Sequence, residues 1–150
     1  MDTTFYGLII KDDIEGLTEN NLAHLWHSVG WTNESTKVPD WLLSAMIFSS
    51  TVFTAWHDGT LIGLCSAIDD GLNAWISRMV VDKDYQNSGI GSVLVNKMIH
   101  KYKDYRIYVQ TNHAAEFYKK HGFKECMTNL MLDGIGAHNE VNGYGISKDK

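Results

Sequence analysis

The stretch Met79-Val80-Val81-Asp82-Lys83-Asp84-Tyr85-Gln86-Asn87-Ser88-Gly89-Ile90-Gly91-Ser92 decides the fold. Its apolar start, Met79 to Val81, closes a strand-like run that begins at Asn73. A polar turn follows. From Ser88 to Tyr102, Ile90, Val93, Leu94, Met98 and Lys101 then recur at helical spacing. A buried strand therefore runs through a turn into a helix that opens at a glycine pair. The first turn of a helix carries four N–H groups without intrahelical partners and the positive end of the helix dipole. Asn87, Ser88, Gly89 and Gly91 are small or short, so a pyrophosphate has room to approach that backbone. The spacing Gln-x-x-Gly-x-Gly is weak on its own. No Gly-Lys-Ser/Thr follows as in a Walker loop, and the third glycine of a dinucleotide fingerprint is missing.

Upstream, Phe5 to Ile10 predicts a first strand. Leu22, Leu25, Trp26 and Val29 share one face of a helix over Thr18 to Val29, which Gly30 stops. Trp31 to Val38 is polar and irregular. Pro39 opens a second helix, with Leu42, Ala45, Met46 and Ser49 on one stripe. Val52–Trp56, Leu61–Ile68 and Asn73–Val81 predict three strands, joined at Asp58-Gly59 and Asp70-Gly71 as an antiparallel meander. Downstream come a strand over Tyr105 to Gln110, a short helix over His113 to His121 stopped by Gly122, and a strand from Phe123 to roughly Leu132. The order is strand, two helices, three antiparallel strands, helix, strand, helix, strand. It predicts an α/β (α+β) fold with one mixed, mostly antiparallel sheet and helices on both faces.

A chain of 150 residues, 44% of them hydrophobic, makes one ordinary domain spanning 1–150, with a core over about 5–132 and a polar tail over 133–150. Thirteen basic against eighteen acidic residues leave a net charge of −5, with Arg78 and Arg106 the only arginines, a poor match for a nucleic-acid backbone. The longest mostly apolar run, Trp41 to Phe48, falls far short of the roughly 18–20 residues of a membrane span. Met1 to Phe5 has no positive region, so neither membrane nor export is expected. Cys65 and Cys126 make no disulfide framework, and both read as small buried hydrophobes, which places the chain in the cytoplasm. His24 and His27 lie three apart without a third ligand, so no metal is expected.

A second stretch completes the pattern: Asn112-His113-Ala114-Ala115-Glu116-Phe117-Tyr118-Lys119-Lys120-His121-Gly122-Phe123. The Val-Val-Asp strand end, the Gln-Asn-Ser-Gly-Ile-Gly turn and Ala-x-x-Phe-Tyr-x-x-x-Gly-Phe some thirty residues on occur in the order that resembles the GCN5-related N-acetyltransferase (GNAT) superfamily. The element order agrees over about residues 5–132. The Gly30-Trp31 pair, the hairpin from Asp69 to Asn73 and the Asp-x-x-Tyr-Gln spelling from Asp82 look most like small bacterial and plant members, some of which act on arylalkylamines.

The resemblance implies acetyl-CoA as donor, with CoA as product and no metal, and a primary amine of a small molecule as acceptor. It implies direct transfer in a ternary complex. It assigns the pantetheine arm and the acetyl carbonyl to the backbone of Met79, Val80 and Val81, on a strand that splays from its neighbour. It gives the pyrophosphate to the backbone N–H groups of Gln86, Asn87, Ser88, Gly89, Ile90, Gly91 and Ser92, and a further cofactor contact to Asn112. Tyr118 takes the catalytic place, donating to the leaving thiolate. Acetyl transfer passes through a tetrahedral oxyanion, which a positioned backbone donor stabilises. Trp31, Glu34, Trp75 and Ser77 are candidates to face the acceptor. Homodimers are frequent in the family, with the final strand and tail as the contact region.

Two departures stand out. Lys83 replaces a proline that many relatives carry after the strand, which predicts a looser turn. Asn73 to Arg78 holds no carboxylate where several relatives keep a general base, so a water relay through Ser77, Asn73 or Glu34 is expected instead. The missing carboxylate also leaves open a non-catalytic acyl-CoA-binding module, and a protein amine stands as an alternative acceptor.

Overall fold

A computed structural model describes residues 6–32 and 40–132. Phe5, Glu34, Pro39 and the tail over 133–150 lie outside the described residues. The chain forms two compact units, Met1–Gln110 and Thr111–Lys150.

The first unit is built on a five-stranded sheet in simple order: β1 (Leu8–Lys11), β2 (Thr51–His57), β3 (Thr60–Asp69), β4 (Asn73–Val81) and β5 (Arg106–Val109). The first four strands pair antiparallel, and β5 lies parallel to β4. A parallel neighbour needs a crossover, and α3 (Ile90–Lys101) supplies it. Two bulges interrupt the ladders. Ala55 faces Gly63 while Trp56 faces Leu61, so Ile62 is the extra residue of β3. Ser66 faces Arg78 while Ala67 faces Ile76, so Ser77 is the extra residue of β4.

The sheet separates two apolar layers. On one face, α1 (Glu19–Ser28) and α2 (Asp40–Phe48) pack Leu22, Leu25, Trp26, Leu42 and Met46 against Val52, Trp56, Leu61, Leu64 and Val80. Thr18 caps α1 reciprocally: its Oγ1 accepts from the Asn21 N–H at 3.2 Å, and Asn21 Oδ1 accepts from the Thr18 N–H at 2.8 Å. On the other face, α3 buries Ile90, Leu94, Val95 and Met98. Val95 thus joins the stripe in place of Val93, which stays partly exposed. The C-terminal end of α3 is pinned to the sheet at Tyr102. The Tyr102 hydroxyl donates to Asp69 Oδ2 at 2.8 Å and shares a 2.7 Å hydrogen bond with Thr51 Oγ1. Burial, reinforced by the Asp69 carboxylate, pushes its pKa up to about 12.

Gly63 shows how closely α3 approaches. A Cβ there would lie 3.1 Å from Leu94 Cδ1 and 3.3 Å from both Ala55 Cβ and Ile90 Cγ2. Gly63→Val therefore overpacks a filled layer and is expected to destabilise the protein by ~2 kcal/mol. A thermal melt with an unchanged midpoint would disprove that packing.

In the second unit, α4 (Ala115–Lys120) is followed by Phe123–Leu132 without any strand. This corrects the expected final strand. Apolar composition suits a strand, but a strand exists only through a ladder, and no ladder among the described residues includes these positions. Met127, Leu130, Met131 and Leu132 are largely exposed. Cys126 is exposed as well, against expectation, whereas Cys65 is buried in β3, which raises its thiol pKa.

Candidate active site

The site begins where β4 outruns its neighbour. The β4–β5 ladder runs from Asn73↔Arg106 to Ile76↔Val109 and stops, while β4 continues to Val81. Met79, Val80 and Val81 thus extend past the last rung. On the other side they stay paired with Cys65, Leu64 and Gly63 of β3, which holds them straight.

The chain then turns on Asp82. Its N–H donates to the Ile62 carbonyl at 2.8 Å, continuing the strand pattern one residue further. Its buried carboxylate accepts from the Asp84 N–H at 2.9 Å, and its carbonyl accepts from the Tyr85 N–H at 2.9 Å, which closes a 3₁₀ turn over Lys83–Tyr85. Lys83 stands where many relatives carry a proline. It keeps an N–H that a proline would lack, and donates it to Ser28 Oγ of α1 at 3.4 Å. Gln86 folds back, its Nε2 donating to the Val81 carbonyl at 3.1 Å, and the Ser88 hydroxyl donates to the Tyr85 carbonyl.

The helix entrance needs two residues with positive φ. Asn87 stands at +60° and Gly89 at +92°, on either side of Ser88. Asparagine tolerates the left-handed region, and glycine enters it without a Cβ penalty. Gly89 is the N-cap of α3, so no side chain caps the helix, and its first turn holds no acid. Most helices fill this end with a Ser, Thr, Asp or Asn oxygen. Leaving it uncapped keeps a positive dipole end and its N–H donors turned outward.

The second unit holds the remaining candidates. Thr111 Oγ1 accepts from the Ala114 N–H at 2.9 Å ahead of α4, with Asn112 exposed between them. Tyr118 is buried, with its ring edge-on to Phe117 at 5.1 Å and to Phe123 at 5.4 Å. Lys119 pairs with Glu125 at 3.2 Å and Glu116 at 3.5 Å, and those carboxylates raise its pKa.

The acceptor candidates are scattered. Ser77, at the β4 bulge, donates to the Ser66 carbonyl at 3.2 Å and lies 3.0 Å from the Ser66 hydroxyl. Trp75 stacks on Tyr108 across the parallel rung, centroids 5.9 Å apart and planes 18° from parallel. That rung adjoins the last one before β4 and β5 part. Tyr108 is a residue that sequence reading missed, because only the β4–β5 register brings it beside Trp75. Trp31 stands edge-on to the buried Trp26 at 5.4 Å. Asn73 is tied into the β3–β4 hairpin, its N–H donating to Asp70 Oδ1 at 2.7 Å. Six residues of strand, about 20 Å, separate it from Met79, too far for a relay there. Among the described residues no group of three or more metal-ligating side chains occurs, and no helix is long and apolar enough to cross a membrane.

Residues 48–125 match the family model of the acetyltransferase (GNAT) domain. The chain belongs to this family of N-acetyltransferases. An uncharacterized N-acetyltransferase of Porphyra purpurea is 31% identical over 133 residues, spanning 82% of this chain and 76% of that protein. A GNAT-family acetyltransferase structure from Streptococcus pneumoniae superposes with a TM-score of 0.68 at 25% identity, spanning 84% of this chain and 98% of the other. An acetyltransferase from Trypanosoma brucei shares the fold at a TM-score of 0.62 and 20% identity, spanning 84% and 99%.

Proposed function

We propose that the protein moves an acetyl group from acetyl-CoA to the primary amine of a small molecule, by direct transfer in a ternary complex. The observation that carries this reading is the continuous path from Met79 to Ser92. Strand backbone beyond its last β5 rung leads into an uncapped helix entrance with no acid in its first turn. A pantetheine arm is an amide-bearing chain of extended shape, and in this reading the backbone of Met79, Val80 and Val81 pairs with it as a further strand would. The N–H groups from Gln86 to Ser92 suit the pyrophosphate, and the absence of a competing acid leaves that end to an anion. Asn112 adds a cofactor contact in this reading.

Acetyl-CoA supplies a thioester carbonyl and a thiol leaving group. The chain's part is to hold the carbonyl against a strand N–H, exclude water and return a proton to the sulfur. Tyr118 takes the last role, since a phenol hydroxyl can donate to a developing thiolate. The Trp75–Tyr108 stack, exposed on Trp75, offers an apolar platform beside the point where the strands part. An amine with a flat or apolar body suits it, and Trp31 and Glu34 are further acceptor-side candidates in this reading. Ser77 serves as a relay for the amine proton, through water. The overall negative charge favours a cationic acceptor and opposes nucleic acid.

One observation favours a second reading. β4 has no carboxylate from Asn73 to Val81, so a module that binds acyl-CoA without turnover is the alternative. Incubation with acetyl-CoA and a broad panel of primary amines, followed by thiol release, separates the two. Turnover with a small amine is expected. Tight CoA binding without turnover on any amine would establish the module instead. Turnover on peptide amines alone would move the acceptor to protein.

A further inference from the structure

The helix entrance is useful to an anion only if its N–H groups are held in place beforehand, because ordering them on binding would consume affinity. Hydrogen bonds within residues 81–88 close the turn, but it lacks a proline and places left-handed residues on both sides of Ser88. Contacts from outside add to its order.

We propose that His57 is a positioning residue for the CoA pyrophosphate turn, acting through Tyr85. His57 ends β2 and Tyr85 ends the 3₁₀ turn, 28 positions apart. His57 Nδ1 lies 3.0 Å from the Tyr85 hydroxyl, and His57 Nε2 lies 3.1 Å from the Tyr6 carbonyl. A carbonyl only accepts, so Nε2 carries the hydrogen in the neutral ring. Nδ1 is then the acceptor, and the Tyr85 hydroxyl donates to it. The two rings also meet edge-on, with centroids 5.5 Å apart. Asp58 stands 3.7 Å from Nε2 on the outer side. The tyrosine so held passes its position on. Its carbonyl receives the Ser88 hydroxyl, and Ser88 sits between left-handed Asn87 and Gly89 at the helix entrance. On the opposite side of the turn, His24 of α1 lies 3.8 Å from the buried Asp82 carboxylate. The turn is thus moored to β2 through Tyr85 and to α1 through Asp82 and the Lys83 N–H, and of these moorings Tyr85 is the one bonded to Ser88.

This inference rests on CoA binding at the turn, and the experiment keeps the two apart. Calorimetry with CoA would be run on the full chain, on Tyr85→Phe, on His57→Ala and on the double variant, with steady-state kinetics in acetyl-CoA. Each single variant is expected to weaken CoA binding about tenfold and raise the KM for acetyl-CoA alike, as loss of one organising hydrogen bond does. At saturating acetyl-CoA, kcat should stay within about twofold, because neither residue touches the reacting atoms. Both act through one bond, so the double variant should bind no more weakly than the worse single. A merely structural role would lower kcat and the melting temperature together without this split. Tyr85→Phe keeps the ring and decides the matter if His57→Ala does not fold. Wild-type CoA affinity in folded Tyr85→Phe, or additive losses in the double variant, would overturn the inference. Failure of the unaltered chain to bind CoA would overturn the functional reading itself.

Discussion

Gly91→Glu is expected to abolish CoA binding, weakening it at least about hundredfold, while leaving the protein folded and slightly more stable. The two effects run in opposite directions for one physical reason. Gly91 is the second residue of α3, within the uncapped first turn. A carboxylate there meets the positive end of the helix dipole and stabilises the helix by about 0.3–1 kcal/mol, and replacing a helical glycine adds a further few tenths. The same carboxylate occupies the place that a pyrophosphate would take, and like charges at contact cost several kcal/mol. Calorimetry with CoA and a thermal melt on the same sample read both terms. A raised melting temperature with unchanged CoA affinity would move the cofactor away from this turn. A general weakening of the fold would instead mean that Gly91 is needed for packing.

The second large effect is expected from Tyr118→Phe. Removing one hydroxyl should lower kcat by about a hundredfold or more, in the range of general acid catalysis, with the KM for acetyl-CoA little changed. The substitution keeps the aromatic ring, so the edge-on contacts to Phe117 and Phe123 survive and stability should hold. Those contacts are also why Tyr118 reads equally well as a core aromatic of α4. Thiol release at saturating substrates distinguishes the two roles. A variant with wild-type kcat would make Tyr118 a packing residue only.

The strand–turn–helix path was legible in the sequence because each of its steps is local. Asn73–Val81 shows as a strand by composition and turn signals, and its observed bounds agree. The hairpins at Asp58-Gly59 and Asp70-Gly71 carry their geometry in two residues, and so does the Gly89 entrance. The crossover helix shows in the sequence through Ile90, Leu94 and Met98, while Val93 on the expected stripe is exposed and Val95 is buried instead. What was not legible depends on partners far along the chain. The apolar stretch after Phe123 resembles a strand, but nothing local says whether a ladder receives it. The same is true of His57 and Tyr85, and of Trp75 and Tyr108. Trp75 meets Tyr108 through the β4–β5 register, and His57 meets Tyr85 where the end of β2 touches the turn after β4, so no spacing rule reveals either pair. The partner of the Lys83 N–H was hidden for the same reason, since Ser28 sits on a helix 55 positions earlier.

The bulge at Ser77 has a consequence for how β4 can change over evolution. With one residue extra, Trp75 and Arg78 share a face although they are three apart, through their partners Ile68 and Ser66. The strand therefore carries a shift of phase between its two halves: upstream residues are placed by one parity, Met79 to Val81 by the other. Substitutions along β4 leave that phase intact. Loss of the extra residue, Ser77, would restore plain alternation and leave Val80 opposite Leu64. Gain of a residue without a second bulge would instead turn every downstream side chain to the opposite face and carry Val80 out of its apolar layer.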